Sequence, residues 1–391
     1  MTFESKMKVS PGPKMKLDII DSIEEFIPLG DEWNNLLALS AFDNPFQSHQ
    51  WLVTWWQVYG KGKLHIVTCR DALSDELLGA LPLYRSRWRS LIPLQALRIL
   101  GSGKGNADFL GGLARQRSEA EVFGAMLEAL LQDRRSWDVI ELLDMDSDSP
   151  FCQFLRSASL PGIVEVQDPD KRCPYLTFPD SWEGLLKGLS RKVRQRMSHV
   201  RRSLDKNVVV VLEEVADLKE LDGALADVIR LRQDRMEQKG ITTAAITDAY
   251  RRFHKQLMPS LLKCGRLRLY FLCLDGQRIA YSYLFSGGSG IYFYQTGFDR
   301  NWGRQSVGFV LLSMVIEKSI ADGYKTFEFL RGIERYKYEW GNVEERYLSQ
   351  ITLFSRKPSG KICQLMDKSI NLLRYFKKCT STMRRERKVL Q

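Results

Sequence analysis

The stretch LRLYFLCLDGQRIAYSYLF, residues 267–285, decides the fold. Its two apolar runs, Leu267 to Leu274 and Arg278 to Phe285, read as strands, and Asp275-Gly276 between them supplies the positive φ of a two-residue hairpin turn. Ser286 to Gly290 turns the chain into a third strand, Ile291 to Gly297, which carries Tyr292 and Tyr294. A helix from about Ser306 to Asp322 and a strand from Thr326 to Leu330 follow. The order is hairpin, strand, helix, strand.

The first half runs in the same order. Two helices come first, one over Asp31 to Leu39 and one that starts at Ser48 as N-cap, passes Trp51, Trp55 and Trp56, and stops at Gly60. Leu64 to Arg70 and Leu77 to Leu83 read as a hairpin, and a strand near Leu97 to Leu100 leads into Gly101-Ser102-Gly103-Lys104-Gly105. Asp108-Phe109-Leu110 precedes a helix that opens with the capping box Ser118 to Glu121 and ends near Asp133; Trp137 to Leu143 is then a buried strand. The duplicated order predicts a mixed α/β fold of two tandem units, 16–170 and 171–355, after a leader of residues 1–15 and before a basic helix or tail, 356–391.

Composition agrees with two real cores. The chain has 391 residues, 44% hydrophobic and 27% charged, which excludes both a small scaffold and wholesale disorder. A formal charge of +11 favours anionic partners. Seven cysteines, at 69, 152, 173, 264, 273, 363 and 379, form no C-x-x-C pair, so a reducing cytoplasm is expected rather than a disulfide or zinc framework. Four histidines without ligand spacing give metal catalysis no support. The leader has no apolar core, and the apolar run Val307 to Ile316 is too short to span a bilayer.

Within 190–206, Leu189, Val193, Met197, Val200 and Leu204 form one apolar helical stripe, while Arg191, Lys192, Arg194, Arg196, Arg201, Arg202 and Lys206 crowd the other faces. That face is either simply solvated or a docking surface for an anion. The tail, with Arg374, Lys377, Lys378, Arg384, Arg385, Arg387 and Lys388, is either disordered or rests on anionic lipid. Ser306-Val307-Gly308 opens a helix whose free amides and dipole suit a diphosphate, with Arg300 and Arg304 just before it; the same residues also make an ordinary cap. The glycine loop 101–105 lacks the Gly-Lys-Ser/Thr ending of a phosphate-binding loop and reads as a turn.

The strand order, the Leu311-Leu312 start of the helix and its Gly323-Tyr324 end resemble the Gcn5-related N-acetyltransferase core. That fold holds the acyl-CoA diphosphate with an Arg/Gln-x-x-Gly-x-Gly/Ala loop. Registered on Gly323, the loop places Gly308 on the last glycine, Ser306 on the earlier one and Gly303 on the Arg/Gln position; another register reads Gln305-x-x-Gly308-x-Val310. A narrower resemblance covers nearly the whole chain. Asn44 to Ser48 with Trp51, Trp55 and Trp56, then Asp108-Phe109-Leu110, and above all Phe329 to Gly341, are similar to the CelD/BcsL acetyltransferase family of cellulose biosynthesis. Its tandem arrangement is similar to the Fem peptidoglycan transferases, which use aminoacyl-tRNA.

The resemblance implies a site at Arg331, Gly332, Glu334, Tyr336, Lys337 and Trp340, with Asp108 orienting an acceptor; alone before a helix, that Asp also reads as a cap. Acyl transfer from a thioester needs a neutral amine, a polarised carbonyl and a proton for the thiolate. Glu334 would take the first proton and Tyr336 would supply the last, while Arg331 and Lys337 hold an anionic group and Trp340 walls the site. Ion pairing of Glu334 with Arg331 or Lys337 and packing of the tyrosines is the structural alternative. The implied donor is acetyl-CoA or another acyl-CoA, with no metal. The acceptor is an amine or hydroxyl of a polysaccharide, lipid-linked or envelope precursor, met in the cytoplasm or at the inner face of the membrane. The alternatives are an aminoacyl-tRNA donor gripped by the 191–206 helix and a non-catalytic module on an anionic membrane surface.

Overall fold

The computed structural model describes residues 15–88, 94–133, 136–158, 163–167, 171–205, 209–238, 240 and 246–367. The leader up to residue 14, Lys206 and the basic tail residues from Arg374 onward lie outside them. The deciding hairpin forms as its sequence dictates. Leu267–Leu274 pairs antiparallel with Gln277–Gly287, and Asp275 and Gly276 take φ of +46° and +79°.

In chain order the first half comprises β1 (Met15–Ile20), α1 (Ile23–Phe26), α2 (Gly30–Ala38), α3 (His49–Tyr59), β2 (Lys63–Asp71) and β3 (Leu77–Trp88). It continues with β4 (Leu94–Ile99), β5 (Leu113–Ala114), α4 (Glu119–Gln132), β6 (Val139–Asp146), α5 (Pro150–Ser157) and β7 (Ile163–Gln167). The second half has β8 (Arg172–Thr177), α6 (Trp182–Gly188), α7 (Arg191–Asp205), β9 (Val210–Glu214), α8 (Leu221–Gln238) and α9 (Asp248–Lys263). The hairpin strands are β10 and β11; then come β12 (Gly290–Phe298), α10 (Val307–Ala321), β13 (Thr326–Glu328) and β14 (Val343–Phe354).

All these strands join one mixed 14-stranded sheet, ordered β1-β2-β3-β4-β6-β14-β8-β13-β12-β11-β10-β9, with β5 on β3 and β7 on β14. The repeat of hairpin, strand, helix, strand thus becomes a mixed α/β fold of two tandem units. β14 welds them, because its first residues pair with β8 and its last with β6 and β7. Two details differ from the sequence reading. Ser118 caps α4 with no side-chain hydrogen bond, since its ψ of 7° aims the hydroxyl away, so the capping box does not form. β13 ends at Glu328 rather than Leu330, because Leu330 takes the left-handed conformation, φ +57°.

The main core crosses between the halves. Phe46, just before the Ser48 cap of α3, meets Trp51 of its own half and Phe285, Tyr292 and Tyr294 of the other, edge to face or tilted. Arg266 closes the same seam with a largely buried ion pair to Asp43, 2.9 Å long. A smaller core lies under α10 and α7, where Val193 and Met197 of the predicted stripe are buried. A core shared across the seam predicts one cooperative unfolding transition by calorimetry, and Phe46→Ala should cost about 3–5 kcal/mol while leaving the transition single.

Candidate active site

The site begins where two parallel strands separate. β12 and β13 pair only through Gly290 to Tyr292 and Thr326 to Glu328. Beyond Tyr292, β12 runs on with no ladder partner on that side. On its other side a bulge opposite Tyr283 and Leu284 leaves Tyr294 out of register. Parting strands and a bulge leave main-chain polar groups of β12 facing a gap. α10 begins beside it at Ser306, whose φ of +54° is left-handed. The hollow here is about 220 Å³, lined by Phe293 and Thr296 of β12, Ser306, Gly308 and Phe309 at the α10 N-terminus, Tyr336, Arg196 and Arg235.

Arg196 stands over the Phe309 ring at 4.2 Å and bonds the Glu339 carboxylate at 2.9 Å, tying α7 to the wall. Arg235 lies over Phe298 at 4.5 Å. Tyr336 keeps its proton firmly, because burial pushes its phenol well above the usual value and the nearby Glu334 charge pushes it further, against Arg235. Its hydroxyl is therefore protonated and can donate a hydrogen bond.

The segment that carries Tyr336 is held from both ends. The Arg331 N–H donates to Asp108 Oδ2 at 2.9 Å, and its guanidinium reaches the other Asp108 oxygen, the Ala107 carbonyl, and Asp144 at 3.3 Å. Asp108 is fully buried; burial raises its pKa while the Arg331 charge and N–H pull it down. Lys171 adds a 2.8 Å bond to Asp144. Lys337 is buried, and its ammonium donates to the carbonyls of Leu330, Arg331 and Gly332 at 3.1, 2.9 and 3.2 Å, with Glu334 at 3.0 Å. Gly332 needs its φ of +119°, where a Cβ would also collide with the Glu334 carboxylate at 2.5 Å.

The predicted residues therefore fall into three places. Tyr336, Ser306 and Gly308 line the cleft. Asp108, Arg331 and Lys337 brace the segment that carries Tyr336, while Glu334 is half exposed, pairs with Lys337 and is not part of the cleft lining. Trp340 is fully buried and stacks on Phe309 at 5.3 Å, one layer behind the wall. Arg300 is exposed and pairs with Glu237 at 3.6 Å, away from the cleft lining; the Arg304 side chain is outside the described part. Sequence reasoning missed Glu328, the last residue of β13, which is buried at the strand parting and shares Arg346 of β14 with Asp146 of β6. Its Oε2 has no hydrogen-bond partner among the described residues, and burial raises its carboxyl to about 7. Its only sequence signal is an acid in an otherwise apolar strand.

Residues 191–338, which hold α7, the bulge, α10 and Tyr336, match the family model described as an acetyltransferase (GNAT) domain. The matched region lies in the second of the two units of the mixed α/β fold. The fold is similar to the crystal structure of FemX, with a TM-score of 0.61 and 13% identity over 89% of this chain and 99% of that one. It is also similar to the C-terminal domain of a putative lysylphosphatidylglycerol synthetase from Agrobacterium fabrum, TM-score 0.50 and 11% identity, covering 89% of this chain and 96% of that one. L-PGS from Bacillus licheniformis aligns with TM-score 0.50 and 10% identity over 84% and 92% of the two chains. What is shared at these identities is the fold. No curated protein matches the sequence. Among the described residues no helix is long and apolar enough to cross a membrane, and no group of His, Cys, Asp and Glu is placed to hold a metal ion.

Glu328 carries a pH signature. Its carboxyl is raised in the folded state to about 7 from an unfolded 4.5, so its stabilising contribution is complete below pH 4.5 and is lost as pH rises through 7. Compared with Glu328→Gln, wild-type stability should fall by roughly 3 kcal/mol over that window in denaturant titrations, and equal slopes for the two proteins would show that Glu328 is not buried as described.

Proposed function

We propose that the protein transfers an acyl group from an acyl-CoA thioester to an amine or hydroxyl of a polysaccharide, lipid-linked or envelope precursor. The observation that carries this reading is the gap where bulged β12 leaves β13 beside the α10 N-terminus, with Tyr336 on its wall. Main-chain groups free of the ladder can stabilise the thioester oxygen, and the amides of Val307 and Gly308 with the Arg196 and Arg235 cations suit the CoA diphosphate. The acceptor nitrogen or oxygen attacks the carbonyl carbon, the carbon–sulfur bond breaks, and the Tyr336 hydroxyl delivers its proton to the departing thiolate. The acceptor's own proton leaves to Glu334 through water. Asp108, Arg331 and Lys337 act here by positioning the segment. The choice of a glycan or envelope acceptor rests on the resemblance of Phe329 to Gly341 to the CelD/BcsL family.

A second donor, aminoacyl-tRNA, is favoured by one observation: basic α7 supplies Arg196 to the cleft and continues away from it with more cations. Salt separates the two, because each phosphate contact to a tRNA single strand gives a log–log slope of about 0.7 in affinity against salt, so several contacts make it steep.

Calorimetric titration with acetyl-CoA and longer acyl-CoAs should show saturable binding that Gly308→Leu weakens about tenfold or more by filling the cleft. Tyr336→Phe should keep that binding and lower turnover by roughly 10²–10⁴. Absence of binding to any acyl-CoA would contradict the CoA reading.

A further inference from the structure

The first half contains a second cleft that shares no lining residue with the one beside α10, and at about 730 Å³ it is the larger of the two. Its floor is aromatic, made by Trp55 and Tyr59 of α3 and Tyr84 of β3. Its rim is cationic. Lys61, Arg87 and Lys104 are exposed there, and among the described residues they form no ion pair and no carboxylate lines the cleft. A fourth cation, Arg98, is already compensated by Glu141 at 2.6 Å.

One edge is the glycine loop. The Trp55 indole N–H donates to the Lys104 carbonyl at 2.7 Å and so pins the loop over the aromatic floor. Gly101, Gly103 and Gly105 take φ of +96°, +80° and +82°, and a Cβ on Gly103 would meet nothing within 4 Å, so the main chain there is open to a ligand. Three unneutralised charges converging on a hollow raise the local concentration of an anion, and aromatic faces select one that carries a ring. The loop then runs directly to Asp108, which holds Arg331 and the segment bearing Tyr336.

We propose that this cleft binds a sugar bearing a phosphate or diphosphate, free or nucleotide-linked. Lys61, Arg87 and Lys104 take the phosphate, and Tyr59 with the edges of Trp55 and Tyr84 takes the ring.

The test is calorimetry on the full chain, without acyl-CoA, using UDP-glucose, glucose 1-phosphate, UMP, pyrophosphate and cellobiose. The proposal predicts saturable binding of UDP-glucose, weakened about tenfold or more in the triple variant Lys61→Ala, Arg87→Ala, Lys104→Ala, and weakened also in Tyr59→Ala. Glucose 1-phosphate binding without UMP assigns a simple phosphosugar; UMP binding without glucose 1-phosphate assigns the nucleotide-linked form; either supports the proposal. No binding, binding unchanged in the triple variant, cellobiose binding as tight as the phosphosugars, or pyrophosphate binding as tight as UDP-glucose overturns it. Thermal melts of the variants report that they fold. Phosphosugar binding in a protein that ignores acetyl-CoA would leave this cleft standing and remove the CoA donor, and the reverse result would remove this cleft alone.

Discussion

Three successive carbonyl oxygens, of Leu330, Arg331 and Gly332, converge on the Lys337 ammonium, while the N–H of Arg331 is taken by Asp108 from the other half of the chain. A buried ammonium and a buried carboxylate each cost several kcal/mol unless their hydrogen-bonding capacity is met. Here the main chain meets much of it, with the Arg331 guanidinium on Asp108 and the Glu334 carboxylate on Lys337 as side-chain partners. The two caps hold Leu330 in a left-handed conformation that a leucine disfavours by about 1–2 kcal/mol. Without them the chain leaving β13 would have no reason to double back, and Tyr336 would have no fixed place on the cleft wall. The geometry of the candidate site thus depends on a contact between halves, not on β13 and α10 alone.

The two halves show why one of them keeps an open gap. In each, the strand before the long helix runs parallel to the strand after it for three residue pairs, β4 with β6 and β12 with β13, and then leaves it. In the first half the chain fills the opening: Leu110 bridges to Met145 and donates its N–H to the Asp144 carbonyl at 3.0 Å, and Phe109 is buried beside it. In the second half no segment among the described residues takes that position, and a cleft remains. The plugged first half braces the segment after β13 through Asp108 and carries the aromatic, cationic hollow beside the glycine loop.

The local signals in the sequence were strong and translated directly. Asp275-Gly276 formed its turn, Ser48 capped α3, which ran from His49 to Tyr59, and α7 and α10 began and ended within a residue or so of their periodic patterns. Legibility failed where distant residues decide the outcome. Nothing local to Tyr294 marks it as the bulged residue, because the bulge is defined by the register of β11 across from it. Asp108 before a helix reads as a cap, and only the return of the chain at Arg331 makes it a brace. The Ser118 capping box had the right spacing and the wrong backbone. Trp340 belonged to the motif, yet packing placed it behind Phe309. β14 gave no sign that one strand would stitch both units into a single sheet.

The most direct measurement is a crystal structure of the protein with acetyl-CoA, or with a thioether analogue that resists transfer. The account places the sulfur within hydrogen-bond reach of the Tyr336 hydroxyl, the thioester oxygen against β12 near Tyr294, and the diphosphate on the Val307 and Gly308 amides. A cofactor seated elsewhere, or a gap between β12 and β13 that stays empty at saturating ligand, would contradict it.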